Sequence, residues 1–115
     1  MSVEVYYFCT GTNKSPVKDF IESLDIGTQI KFFAKKSLLE CYEYKLPEPH
    51  AKHIGDGIFE LRFVGIEGKI RILYFFFHQN RAILTNGFVK KRDKTPRNEI
   101  KIAIERRKIY LKSLK

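Results

Sequence analysis

The chain has 115 residues, 43% hydrophobic and 30% charged, which is one domain of common size with enough apolar material for a core. The longest uncharged apolar run, Ile72 to Phe77, falls far short of the ~20 residues that span a bilayer. Met1-Ser2-Val3-Glu4 has neither the basic nor the apolar stretch of a secretory leader, so a cytoplasmic protein is expected. Cys9 and Cys41 lack the spacing of a disulfide framework or a metal site and are expected to be buried free thiols.

The order of elements follows from hydrophobic period and punctuation. Val3 to Phe8 is β-branched and aromatic and predicts a first strand. Ser15-Pro16 places a capping hydroxyl before a proline at the first helical position. Val17, Phe20, Ile21 and Leu24 follow at helical spacing, and Gly27 breaks that helix. Ile30, Phe33, Ala34, Ser37, Leu38 and Cys41 form the expected buried stripe of a second helix reaching about Tyr44.

Lys45 to Gly57 is expected as an irregular link holding His50 and His53. Beyond it the period becomes two. Ile58 to Val64, Lys69 to His78 and Arg81 to Val89 read as three strands, joined by turns at Gly65-Ile66-Glu67-Gly68 and Gln79-Asn80. Asp93-Lys94-Thr95-Pro96 is expected to cap a last helix to about residue 113, with Ile100, Ala103, Ile104, Leu111 and Leu114 on its buried stripe. The order is β-α-α-β-β-β-α across a single domain, 1–115. This predicts an α+β fold, a small antiparallel sheet with the helical pair on one face.

Positive charge is concentrated at the end of the chain. Lys and Arg number 22 against 13 Asp and Glu, a net +9. Residues 90–115 hold eleven basic and three acidic side chains, whereas residues 1–89 are nearly balanced. Such clustering is the footprint of a polyanion or an acidic partner.

Turn lengths predict which side chains are neighbours. A four-residue loop at 65–68 pairs Val64 with Lys69 and Arg62 with Arg71. A two-residue turn at Gln79-Asn80 pairs His78 with Arg81, hence Arg71 with Phe88 and Lys69 with Lys90. Opposed residues share a face, so Arg62, Arg71, Lys69 and Lys90 project together. Phe59, Leu61, Phe63, Ile70, Ile72, Tyr74, Phe76, Ile83 and Val89 form the other face, the expected floor for the helices. Opposed like charges cost stability and call for an anion, and the planar arginine fork suits phosphate. The alternative is that Arg62 and Arg71 form surface ion pairs with Glu60 and Glu67.

Other chemistry is thinly represented. The sequence has no zinc spacing, no glycine-rich phosphate loop before a helix and no Gly-x-Ser-x-Gly elbow. No cofactor is implied.

Several of these segments carry a resemblance. Gly57-Ile58-Phe59-Glu60-Leu61-Arg62, Ile70-Arg71-Ile72-Leu73-Tyr74, Gly87-Phe88-Val89-Lys90-Lys91 and Lys94-Thr95-Pro96-Arg97-Asn98-Glu99-Ile100 resemble the RelE/ParE toxin superfamily, nearest its phage-derived HigB-like branch. The resemblance implies the RelE-like fold and a toxin of a type II toxin–antitoxin pair. HigB- and RelE-like members are ribosome-dependent endoribonucleases that inhibit translation by cutting mRNA without a metal, the RNA 2′-hydroxyl attacking the adjacent phosphate. ParE-like members inhibit gyrase instead.

The implied partners are a cognate antitoxin, of the HigA-like helix-turn-helix kind, and the ribosome with its mRNA, with no membrane involved. By the same resemblance Arg71 and Arg62 bind the scissile phosphate and Lys90 and Lys91 stabilise charge. Lys69, Arg92, Lys94 and Arg97 are expected to bind RNA. His53, His78 and Tyr110 are candidates for acid or base, as is a lysine whose pKa neighbouring arginines depress. Asn86 stands where related chains often carry a histidine, which leaves electrostatic stabilisation as the main contribution. The alternatives are a RelE/ParE-fold binding protein without RNase activity and a basic nucleic-acid-binding protein without toxicity.

Overall fold

The structure, a computed structural model, describes residues 3–78 and 80–114. Gln79, half of the expected second turn, lies outside them, as do Met1, Ser2 and Lys115. Five strands and three α-helices follow in the order β1 (Glu4–Tyr7), α1 (Pro16–Glu22), α2 (Ile26–Tyr42), β2 (Ala51–Gly55), β3 (Ile58–Gly65), β4 (Gly68–Phe77), β5 (Arg81–Lys90) and α3 (Arg97–Ser113), with a single 3-10 turn after α2. The sheet runs β1-β5-β4-β3-β2, with β1 parallel to β5 and the other pairs antiparallel. The α+β class and the predicted order hold, with one strand added. No helix among the described residues is long and apolar enough to cross a membrane.

Local chemistry starts α1 where the sequence predicts. The Lys18 N–H donates to Ser15 Oγ at 3.3 Å, and Pro16 opens α1. The Asp25 carboxylate accepts from the Gly27 N–H at 2.9 Å and caps α2, so Gly27 lies inside the second helix rather than in a break. At α3 the cap differs. Pro96 is the boundary residue and no side chain caps it. The Thr95 hydroxyl donates instead to the Glu60 carboxylate.

The expected link at 45–57 contains a strand. β2 pairs with β3 from Ala51↔Leu61 to Gly55↔Ile58, and Asp56 and Gly57, both at positive φ, close the turn. Pro47 and Pro49 before it, and Lys52, His53 and Gly55 within it, disguise this strand, which lies at the edge of the sheet.

Helices cover both faces of the sheet. On one, Val17, Ile21, Phe32 and Leu39 of α1 and α2 pack on Leu61, Phe63, Ile70, Ile72 and Tyr74. Full burial of each such side chain contributes about 1.5–3 kcal/mol. On the other, Ala103 with Ile104 and Tyr110 of α3 packs on Leu73, Phe75, Ile83 and Phe88. Leu111 and Leu114, expected on that stripe, are exposed.

The stripe of α2 is also phased differently. Its buried residues are Thr28, Phe32 and Leu39, while Ile30, Phe33, Ala34 and Cys41 face solvent. Thr28 is buried because its hydroxyl donates to Glu67 Oε1 at 2.7 Å, a tie that hydropathy does not reveal. Both cysteines, expected to be buried, are exposed.

The register is as predicted at the basic end and shifted at the other. Arg62 faces Arg71, Val64 faces Lys69, and Lys69 faces Lys90. At the far end Phe77, not His78, faces Arg81. The ladder slips between Leu73 and Tyr74, which pair with Asn86 and Leu84. Thr85 is thus the extra residue of a bulge that cancels the longer turn. The slip moves Ile83 to the α3 face, opposite to the expected side.

Candidate anion-binding site

α3 covers only part of its face of the sheet. The uncovered part carries Lys52 of β2, Glu60 and Arg62 of β3, Lys69 and Arg71 of β4 and Lys90 of β5, brought together by the register Lys52↔Glu60, Arg62↔Arg71 and Lys69↔Lys90. Alternation puts Glu60 beside Arg62 on one face.

Glu60 is the centre of this group. It is 1% exposed. Its Oε1 lies 3.5 Å from Arg62 Nε and 3.5 Å from Arg71 Nε, and its Oε2 accepts from Thr95. The expected alternative of surface pairs with Glu60 and Glu67 is therefore half realised. Glu60 pairs with both arginines but is buried, and Glu67 accepts from the Asp25 N–H and Thr28 hydroxyl instead. Neither Nε makes a hydrogen bond, so both contacts are ionic at longer range. Arg62 Nη1 also reaches Glu48 Oε1 at 3.3 Å, and Arg71 Nη1 donates to the Ile70 carbonyl at 2.9 Å. A guanidinium has five N–H donors, so both forks keep donors beyond these contacts, Arg62 where two clefts meet and Arg71 buried at 5% exposure in the wall of one of them.

Electrostatics follow from this crowding. Burial, with Arg62 adding and Glu60 opposing, pulls the Arg71 pKa below its ordinary value. Burial likewise lowers that of Lys90. Glu60 works against this shift, and Arg71, Arg62 and Lys69 add to it. One buried carboxylate, Glu60, thus faces three cations, Arg62, Arg71 and Lys90, an arrangement that attracts an anion.

Two clefts meet at Arg62. One, about 570 Å³, is walled by Lys31, Ala34 and Lys35 of α2, Pro49, Phe63, Val64 and Arg71. The other, about 390 Å³, is walled by Lys52, Glu60, Lys90, Asp93, Lys94 and Thr95, with Ile100 at its end.

The remaining expected residues fall in different places. Lys94 lines the second cleft, whereas Lys91, Arg92 and Arg97 are exposed beyond β5 and line neither. His53 opposes Phe59 on the α1–α2 face, its ring 4.8 Å away, and its Nε2 accepts from the Gly57 N–H at 3.3 Å. His53 also lines the second cleft, with Lys52, Arg62 and Lys90. His78 lies beyond the end of β4, seven residues from Arg71, about 23 Å along the strand. Tyr110 packs edge-on against Phe75 and Phe77, near the same end. Asn86 is a structural tie, its Nδ2 donating to Glu99 Oε1 at 2.9 Å and to the Glu99 carbonyl. Among the described residues no group of three or more His, Cys, Asp or Glu is placed to hold a metal.

The charge pattern alone does not indicate Lys52 or Thr95, and it offers Glu60 only as a surface partner of the arginines. The signal for Glu60 was its position two residues from Arg62 on a strand. Lys52 carries no such signal because the prolines before β2 make its segment look like a link.

Residues 19–108 match the family model described as Phage derived protein Gp49-like. No curated protein matches the chain.

Proposed function

The chain belongs to the phage-derived Gp49-like family, and from that premise we propose that it is the toxin of a type II toxin–antitoxin pair, acting as a ribosome-dependent mRNA endoribonuclease. The observation that carries this reading is the pair of facing arginines, Arg62 and Arg71, oriented through their Nε atoms by one buried carboxylate. An RNA backbone crossing from one cleft to the other lays a phosphate on this pair.

In the reaction the RNA 2′-hydroxyl attacks the adjacent phosphorus. An O–P bond forms, the bond to the 5′-oxygen breaks, and a cyclic phosphate and a 5′-hydroxyl result. Lys90, held below the ordinary lysine range, takes the 2′-hydroxyl proton as its free amine. Lys52, across the second cleft, supplies the proton to the leaving 5′-oxygen. Arg62 and Arg71 stabilise charge on the phosphoryl oxygens, the largest contribution in sites of this type.

The test is primer extension on mRNA in a reconstituted translation reaction. New 5′ ends in codon register that require ribosomes support the reading. Absence of cleavage by protein that still arrests growth refutes it. A second reading, a binding protein of this fold without RNase activity, draws on the placement of His78 and Tyr110 at the far end of the sheet from the arginines.

A further inference from the structure

The two clefts that meet at Arg62 differ in their acids. Both are lined with cations, but the first, around Lys31, Lys35 and Arg71, has no carboxylate, whereas the second has two, Glu60 and Asp93. Glu60 is committed. Its Oε1 faces both arginines and its Oε2 accepts from Thr95. Asp93 is not. It sits exposed on the bend between β5 and α3, three residues beyond Lys90, and forms no hydrogen bond or ion pair with any described residue. A free carboxylate repels a phosphate, and its oxygens accept hydrogen bonds but donate none. This wall therefore suits a group rich in N–H donors rather than the nucleic-acid backbone. Half-buried Ile54 of β2 and Ile100 of α3 give the same cleft an apolar part. At about 390 Å³ it falls within the size range of small-ligand pockets.

We propose that this cleft is a guanine subsite in which Asp93 reads the base of the nucleotide on the 5′ side of the scissile phosphate. The ring lies against Ile54 and Ile100. Both carboxylate oxygens of Asp93 accept, one from the ring N1–H and one from the 2-amino group. Guanine is the one common RNA base with two adjacent donors on its Watson–Crick edge, the edge by which unpaired RNA bases are read. Adenine and cytosine set a ring-nitrogen acceptor beside their amino group, and uracil flanks its single N–H with two carbonyls. Each of these brings an acceptor against an acceptor-only carboxylate. A site built for hydrogen bonds rejects the partner that leaves them unmade. The side of the cut follows from the chain. Asp93 shares its wall of the cleft with Lys90, the base assigned to the 2′-hydroxyl, and that hydroxyl belongs to the 5′ nucleotide. The position relative to the cut thus rests on the function proposed above, whereas the choice of guanine rests on Asp93.

The test is calorimetric titration with the four nucleoside 3′-monophosphates, whose phosphate occupies the arginines while the base enters the cleft. Guanosine 3′-monophosphate is expected to bind about tenfold or more tightly than the uridine compound, the worth of hydrogen bonds to a charged acceptor. Inosine 3′-monophosphate, which lacks the 2-amino group, is expected to lose about fivefold or more relative to guanosine. Asp93→Asn is expected to bring the guanosine-to-uridine ratio close to unity, with thermal melts establishing that the variant folds. In methyl spectra, Ile54 and Ile100 are expected to shift with the guanosine compound. Equal binding of all four nucleotides, a preference for another base, or a guanine preference that survives in Asp93→Asn overturns the proposal. Shifts that spare Ile54 and Ile100 overturn it too, and binding of none of the four overturns the phosphate site with it. Because the readout is binding, the two failures separate. Guanine discrimination by a protein that cuts no mRNA removes the reaction and keeps the subsite, and cleavage by a protein that binds all four alike does the reverse.

Discussion

Arg62 and Arg71 stand directly opposite each other on β3 and β4 and share the single buried carboxylate of Glu60, each through its Nε at 3.5 Å. Facing cations repel, and Glu60 offsets that repulsion from beneath. The forks are thereby held in place before any ligand arrives, which is what electrostatic catalysis requires.

Removing the carboxylate separates these roles. Breaking a buried ion pair by deleting one partner costs about 3–5 kcal/mol, so Glu60→Gln is expected to unfold at markedly lower denaturant concentration. Inorganic phosphate should restore more stability to the variant than to the wild type, because the two arginines then lack their counter-ion. Urea melts with and without phosphate measure both effects.

The lysine assigned as base gives a pH dependence. Its pKa is lowered in the folded protein, so its free-amine fraction rises with pH with a midpoint below the ordinary lysine pKa of about 10.4. Cleavage under single-turnover conditions should rise with pH with its midpoint below that value. Lys90→Met should abolish the rise, and a profile unchanged in this variant would remove Lys90 from the role.

Glu67 ties the β3–β4 turn to the start of α2 through the Asp25 N–H at 2.6 Å and the Thr28 hydroxyl at 2.7 Å. These bonds hold its carboxyl below the ordinary glutamate value. A depressed carboxylate contributes stability that is present above its unfolded pKa and lost as pH falls through its folded one. Glu67→Gln should therefore lower the melting temperature near neutrality and flatten the acid limb. Melting curves across acidic pH check the sign.

Gly87 lies beneath the ring of Phe20. A Cβ there would sit 2.5 Å from Phe20 Cδ2 and 2.7 Å from Ile72 Cδ1. Gly87→Ala is expected to cost about 1–3 kcal/mol by overpacking. Chemical denaturation measures it, and Phe20→Ala in the same chain should relieve part of the cost.

How much of this was legible in the sequence depends on the range of the interactions. The Arg62–Arg71 pairing was readable because a four-residue turn and strict alternation leave one register. The Lys69–Lys90 pairing emerged from the predicted register although the turn was longer than assumed, because the Thr85 bulge restores the count. The phase of α2 was not readable. Thr28 is buried by a hydrogen bond to a residue far along the chain, while Ile30 and Phe33 face outward. The basic row was visible from the strands, but the carboxylate beneath it was read only as one of two possible surface partners. Its burial depends on Thr95 folding back from the approach to α3, which no local pattern announces.

The most direct measurement is single-turnover cleavage of ribosome-bound mRNA by the wild type and by Arg71→Ala, with the fold of both established by circular dichroism. The account predicts that loss of this fork slows cleavage by about 10²–10³-fold, the cost of one charge-stabilising donor, with ribosome binding retained. Equal rates from a folded variant would contradict it.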